Sequence, residues 1–449
     1  MRKIPLHWQI IIGLLLGVLF ALLSGFLGWS EFTKLWIAPW GRIFISLLKL
    51  IAIPLVLFSI VSGIAGLGSP AQLGRLGLKT MTIYLITTII AVSIGLSLVN
   101  LIKPGSYVNQ QLRETNYTNY KTWLQDNSNG NELDLSKKEQ GDLKTSISID
   151  IEPTKLTNDK PLDFIEEMVP SNVFGALSDN SRMLQIIFFA ILFGIAILYI
   201  PSEKSAHIIL LVNGLADVFI KMVEMVMKIA PFFVFALMAG VINEQAGNNP
   251  FQIIEIFKGL GGYTLTVVLG LALVGFVVYP LFVNFFIKGI SYRDFIRGIS
   301  PAQLLAFSTS SSAATLPVTI ECVEQNLKVD KNVASFVLPI GATINMDGTS
   351  LYQAVAVVFL AQFNGIELEI SQQLVILLTA TLASIGAAAI PSAGIVTLMV
   401  VLSSVGLNPA WIAIILPVDR ILDMMRTVIN VTGDALVALI IDRSKNKQE

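Results

Sequence analysis

Apolar stretches long enough to cross a bilayer recur near 6–28, 38–66, 77–102, 170–200, 206–242 and 256–288, and they limit the fold more than any other feature of the chain. About 20 apolar residues cross hydrocarbon as a helix, and only helices or closed barrels satisfy their own backbone there. The expected class is an all-α polytopic membrane protein. Composition agrees: 54% of the 449 residues are hydrophobic and 14% charged, too little polar surface to coat a water-soluble fold of this size. Mean hydropathy is +0.72. The net charge of -1, without a long basic run, excludes a nucleic-acid binder. Cys322 is the sole cysteine, and His7 and His207 lie far apart, so neither an internal disulfide nor a histidine metal site is expected. Any coupled ion must be held by oxygen.

The start, Met1 to Lys3 followed by an apolar run, resembles a secretory leader. A retained first span fits better, because Leu6 to Leu27 reaches full crossing length. Arg2 and Lys3 before the first span, and Arg75 and Lys79 beside the second connection, place both on the cytoplasmic side. The segment from Pro104 to about Lys160 is polar and rich in Asn, Asp, Ser and Thr, which predicts an external, partly disordered loop. Asn116-Tyr117-Thr118 inside it matches an N-glycosylation acceptor, a motif short enough to arise by chance.

The last third is interrupted where a plain membrane helix would not be: at Ser308 to Ala314, at Asn345 to Thr349, and at Gly386 to Gly394 around Pro391. Irregular backbone at membrane depth must face protein or a polar cavity. The first and third breaks each sit between short apolar segments that suit re-entrant hairpins, and two matched broken elements are the trace of inverted repeats around a midplane site. Close helix packing through small residues is the competing explanation.

The final apolar run, about Trp411 to Ile441, carries Asp419, Asp423, Arg426, Thr427, Asn430 and Asp434 at spacings of three and four, on one helical stripe. An ionised side chain near the bilayer centre costs roughly 2.5–3.5 kcal/mol, so this stripe must face a polar interior. Asp423 and Arg426 are close enough to neutralise each other, but the stripe has a surplus of anions. A guanidinium matches a carboxylate in two places, which makes Arg426 the candidate for a substrate side-chain carboxylate. Asp423 suits an α-ammonium group, and the Asn430 amide an α-carboxylate. Ser310, Ser311 and Ser312, with Thr349 and Thr427, would complete a cradle of donors. Asp434 and Asp347 are left to hold sodium, a hard cation, helped by Asn345 and by carbonyls that unwinding at Asn345 to Thr349 would free. A proton would compete for the same carboxylates. A membrane hydrolase using a serine of the 308–312 run lacks a histidine base.

The strings SSSAATLP (310–317), GATINMDGTSLYQAV (341–355), ASIGAAAIPSAG (383–394) and DRILDMMRTVINVTGDA (419–435), with VPSNVFGAL at 169–177, resemble the signature elements of the glutamate transporter family of dicarboxylate and amino acid:cation symporters. The resemblance implies a prokaryotic sodium-coupled symporter for glutamate or aspartate, embedded in the plasma or inner membrane with both termini cytoplasmic. It implies a homotrimer whose protomers each have eight transmembrane helices and two re-entrant hairpins, with a transport domain that slides like an elevator along a scaffold. Scaffold helices would occupy 1–76 and 166–255, the polar extracellular loop 104–165, and the transport domain 77–103 and 256–449. Within the latter, the first hairpin would span about 292–327, helix seven about 330–364, the second hairpin about 371–405 and helix eight about 409–442.

By the same resemblance, Arg426, Asp423 and Asn430 would take the roles given above, with Ser312, Thr349, Ile390 and Thr427 completing the pocket. Sodium would meet Asp434 with Gly341, Asn345 and Asn430; Asp347 with Tyr84, Thr87 and Thr88; and backbone at Thr343, Met346, Ser384, Ile385 and Ala387. The chain departs from the family pattern in three places. Ala389 and Ser392 stand where glycine is frequent. Ser310 and Met424 stand where many members have a second arginine, and Arg420 could supply its charge. Gln353 replaces the glutamate of proton-coupled members, and an amide cannot titrate.

Overall fold

The structure, a computed structural model, describes residues 6–65, 75–128, 168–178, 182–246, 251–287, 289–385 and 392–445. It is all-α; no strand occurs among the described residues. Among the described residues, five stretches are long and apolar enough to cross a membrane: Ser30–Ala65, Gly77–Tyr107, Glu203–Asn243, Glu255–Phe286 and Pro409–Ser444. Ile12–Leu27, Gln185–Leu198, Ile370–Ile385 and Ala393–Ser404 are apolar but shorter.

In chain order the helices are α1 (Leu6–Leu27), α2 (Ser30–Ala65, with a π-turn at Thr33–Ile37) and α3 (Arg75–Ile102), then α4 (Gln110–Ser128), α5 (Val173–Leu177), α6 (Met183–Leu198) and α7 (Ser202–Ala246). The long rod α8 (Phe251–Leu273) runs through a π-turn at Val274–Val278 into Tyr279–Phe286. The last third comprises α9 (Tyr292–Thr309), α10 (Ser312–Glu321), α11 (Lys331–Ile344), α12 (Asp347–Phe363), α13 (Ile370–Ile385), α14 (Ala393–Ser404) and α15 (Ile412–Lys445).

Two packing groups follow from which helices touch. Helices α1, α2 and α6 lie against α7 or one another, whereas α12 is surrounded by α3, α8, α13 and α15. The groups meet where α13 and α14 lie on α2 and α6 and where α8 and α15 touch α7. At the centre is α12, in which every residue except Gln362 is buried, including Asp347, Thr349, Ser350 and Gln353. A helix apolar or polar yet buried all round has no lipid face, so its polar side chains must be satisfied by other helices or by guests.

Three expectations need correction. The polar segment 104–165 is not a loop throughout: Gln110–Ser128 is a 19-residue helix, and 129–165 lies outside the described residues. In this helix Asn116 is only 4% exposed, which removes it as an accessible glycosylation acceptor. The stretch 170–200 is not one span, since α5 ends at Leu177 and α6 begins at Met183. Finally, the breaks are narrower than their sequences suggest. The first is confined to Ser310 and Ser311, because Ser311 accepts from the Ala314 amide and restarts the helix at once. The second is confined to Asn345 and Met346, because the Gly348 amide, four residues after Ile344, finds Asn430 Oδ1 at 2.8 Å. Asp347, Gly348 and Thr349 are therefore helical. Of the third break, residues 386–391, including Ala387, Ala389, Ile390 and Pro391, lie outside the described residues, and Ala393 and Gly394 already belong to α14.

Candidate functional site

The stripe on α15 faces inward as its spacing requires. Asp419, Asp423, Arg426, Thr427, Asn430 and Asp434 are each at most 6% exposed, and Arg426 is among the largest fully buried side chains. Its guanidinium carbon sits 3.7 Å from the centroid of the Tyr352 ring, a face-on contact worth about 2 kcal/mol when desolvated. Nη2 donates to Asp423 Oδ1 at 2.8 Å and to Asp419 Oδ1 at 3.1 Å. Nε and Nη1 have no hydrogen-bond partner among the described residues. One end of the fork is thus anchored and two donors remain available, in a place where leaving them unmade is costly.

Of the two, Nη1 lies against the start of α14. A Cβ on Gly394 would lie 3.2 Å from Arg426 Nη1 and 3.3 Å from Thr349 Cγ2, so the start of α14 roofs the arginine. The Ser392 amide donates to Asp423 Oδ2 at 3.0 Å, and Arg420 Nη1 approaches the same oxygen at 3.4 Å. Both oxygens of Asp423 are therefore engaged, one by the arginine and one by the hairpin tip. Below them, Asn430 joins α15 to α12: its Oδ1 accepts from Gly348 N, and its Nδ2 donates to Thr349 Oγ1 at 3.2 Å. The backbones can come this close because residue 348 has no side chain; a Cβ there would lie 2.6 Å from the Arg426 carbonyl oxygen.

Other pocket candidates behave differently. Thr427 Oγ1 donates to the Asp423 carbonyl at 2.8 Å, along its own helix. At the first hairpin tip, Ser310, Ser311 and Ser312 are buried; Ser311 N donates to Thr309 Oγ1, Ser311 Oγ accepts from the Ala314 amide, and Ser310 Oγ has no partner among the described residues. Ser310 holds the left-handed conformation at φ 52°, unusual for a residue with a side chain.

A second cluster surrounds the break between α11 and α12. Asp347, fully buried, accepts on Oδ1 from Thr88 Oγ1 (2.8 Å) and Thr87 Oγ1 (3.2 Å), and on Oδ2 from Tyr279 Oη (2.9 Å). Asp434 Oδ1 accepts from Asn345 Nδ2 at 3.0 Å, while Asn345 Oδ1 has no partner among the described residues. Gly433 lies against this cluster: a Cβ there would sit 2.7 Å from Tyr279 Oη, 3.0 Å from Asn345 Nδ2 and 3.2 Å from Asp347 Oδ2. Among the described residues neither Asp347 nor Asp434 has a basic partner. Two buried carboxylates held by neutral donors are costly unless a cation or a proton joins them, and all the ligands here are oxygens suited to a hard cation.

The Tyr84 hydroxyl donates to the Val337 carbonyl at 3.1 Å and lies beside Asp434 Oδ1 at Gly341, where a Cβ would meet both, while Tyr279 bonds to Asp347. Met346, Ser384 and Ile385 are buried, Ser384 bonding back to the Thr381 carbonyl, whereas Thr343 is exposed. Asp419, Tyr279 and Tyr352 were not singled out as site residues by sequence. Asp419 lay in view on the α15 stripe, one turn before Asp423; the two tyrosines sit in otherwise apolar or mixed runs and carried no separable signal.

Comparison with known proteins places this geometry in a family. The sodium:dicarboxylate symporter family pattern matches residues 6–444. Excitatory amino acid transporter 3 of Mus musculus is 36% identical over 474 aligned positions, covering 98% of this chain and 86% of that protein. The proton/sodium-glutamate symport protein of Geobacillus stearothermophilus is 34% identical, covering 99% and 95%. The proton/glutamate-aspartate symporter of Escherichia coli strain K12 is 32% identical, covering 99% and 94%. A match of this length, through every helix that carries the two clusters, identifies the chain as a multi-pass membrane transporter, not an enzyme, that belongs to the sodium:dicarboxylate symporter family.

Proposed function

We infer that this chain is a secondary active symporter that takes up glutamate or aspartate together with sodium ions, by an elevator motion of a transport domain within a homotrimer. The domain division is that of the sequence reading, 77–103 and 256–449 moving against 1–76 and 166–255, in a prokaryotic plasma or inner membrane with both termini cytoplasmic. The observation that carries the substrate assignment is Arg426: a fully buried guanidinium with Nη2 anchored and an unpartnered Nη1 under the start of α14. An acidic side-chain carboxylate arriving there accepts a charge-assisted hydrogen bond from Nη1. The substrate's ammonium group would take Asp423, displacing its bonds to Arg426 and the Ser392 amide, and its α-carboxylate would take the Asn430 amide with Thr349. Ser312, Thr427 and Ile390 complete the pocket in this reading. The names of the three relatives agree with an acidic amino acid as the common cargo.

Sodium is assigned to the second cluster because its two carboxylates lack a basic partner and its donors are oxygen atoms, with the unpartnered Asn345 Oδ1 completing the set. Each sodium entering a cell held about 100 mV negative inside gains roughly 2.3 kcal/mol from the field, so more than one can drive an anion uphill. Ser384 and Ile385 lie on the second hairpin, whose closure over both clusters would link the two binding free energies.

Proton coupling, to glutamate or a four-carbon dicarboxylate, is the second reading. The same two carboxylates favour it, because a proton relieves a buried anion as a cation does. Against it stands Gln353, whose Nε2 donates to Thr397 Oγ1 at 2.6 Å and whose amide cannot titrate. Uptake into proteoliposomes separates the two. The sodium reading expects accumulation of aspartate or glutamate under an imposed sodium gradient and none under a proton gradient alone. Accumulation driven by protons without sodium, or of succinate in preference to aspartate, overturns it.

A further inference from the structure

The second hairpin, α13 and α14, is entered and left through two turns of the same kind. Before it, Gly365 (φ 73°) follows α12, with Gly365 N donating to the Gln362 carbonyl and Ile366 N to the Ala361 carbonyl. After it, Gly406 (φ 72°) follows α14, with Gly406 N donating to the Ser403 carbonyl and Leu407 N to the Leu402 carbonyl. Each is a Schellman cap built on a left-handed glycine, the residue whose backbone rotates at least steric cost. A rigid helical hairpin bracketed by two such turns pivots there if it pivots at all.

Helix α4, from the polar segment, touches both turns. Arg113 Nε donates at 3.2 Å to the Gln362 carbonyl, the same oxygen that closes the first turn. A Cβ on Gly365 would lie 3.2 Å from the Arg113 carbonyl oxygen and 3.5 Å from Tyr117 Cβ. Two turns further along α4, Tyr120 Oη donates to the Gly406 carbonyl at 3.0 Å, and its ring lies 5.2 Å from that of Trp411 at the start of the last helix. The docked stripe is Leu112, Asn116 and Tyr120, spaced by four, while the opposite face is exposed. Burial raises the Tyr120 hydroxyl above the ordinary phenol range, with Tyr117 adding to the shift, so it remains a donor at neutral pH. Beside the first turn a cleft of about 440 Å³, lined by Ser106, Arg113, Glu114, Tyr117 and Gly365 among others, leaves room for that turn to move.

We propose that α4 is a strap across both hinges of the second hairpin, fixed at Gln362 by Arg113 and at Gly406 by Tyr120, and that it sets how fast the hairpin opens. The hinge restraint stands on the contacts alone; its effect on substrate release rests on the reading of that hairpin as the gate. The test uses full-length protein in detergent, by amide hydrogen exchange at 364–369 and 405–408 and by release of radiolabelled aspartate from sodium-loaded protein. Tyr120→Ala should speed exchange at both hinge segments about tenfold, and Tyr120→Phe, which keeps the ring and loses one hydrogen bond, about threefold at 405–408. Thr122→Ala, on the exposed face of the same helix, should change neither. Aspartate release should accelerate in the same order. Wild-type exchange rates in Tyr120→Ala, or an increase spread equally over the amides of α12, would overturn the strap. Failure of the wild type to bind aspartate or glutamate would sink the gate reading, leaving the exchange data to decide the strap.

Discussion

The two helical hairpins of the last third share a design and differ in what holds their tips. The first closes on itself: Ser310 makes the left-handed turn, Ser311 caps α10, and Thr315 Oγ1 bonds back to the Ser311 carbonyl at 2.8 Å. The second is held by others. Its Ser392 amide bonds to Asp423, Gly394 lies on Arg426 and Thr349, and Thr397 accepts from Gln353. A tip bonded to Asp423 responds when that carboxylate changes partner. On the proposed reading of Asp423 as the ammonium-binding group, the second hairpin is the responsive wall and the first the stationary one.

Asp423→Asn should break the comparison most severely. It removes a charge from a buried pair and weakens the acceptor for Ser392, so aspartate affinity measured by calorimetry should fall about 100-fold or more, with faster amide exchange at the start of α14. Slower or unchanged exchange there would mean the second tip is as self-sufficient as the first. Asp434→Asn should weaken sodium binding about tenfold while leaving both tips in place, since one hard, charged ligand becomes a neutral amide; sodium titration of aspartate binding reads this directly. Ser311→Ala sharpens the other side. Loss of the cap should cost about 1 kcal/mol of thermal stability with sodium dependence unchanged. The smallest effect is expected for Ser310→Gly, which relieves the left-handed conformation and should raise stability by about 0.5–1 kcal/mol without altering affinity.

Much of this site was legible in the sequence, because membrane burial leaves few ways to read a polar residue. The stripe on α15 announced itself by spacing three and four, and each interruption of the apolar pattern marked a real break or fell on residues outside the described ones. What spacing could not supply is which atom meets which. Asp419 stood on the stripe, yet only packing shows Arg426 Nη2 divided between it and Asp423. The lengths of the breaks were overestimated because Ser311 and Asn430 satisfy the orphan amides of the restarting helices within one turn. Helix α4 was missed because a polar composition was read as a loop, although Leu112, Tyr120 and Trp123 recur at helical spacing along a segment that is otherwise hydrophilic.

The claim on which the account rests is that Arg426 recognises the side-chain carboxylate of the cargo. Binding of aspartate and of serine to purified wild type and Arg426→Cys in sodium buffer addresses it without transport assays or reconstitution. The expected result is a loss of aspartate affinity of about 100-fold or more together with measurable serine binding, since a charge-assisted contact is replaced by a small neutral side chain. Equal aspartate affinity in the two proteins would contradict the account.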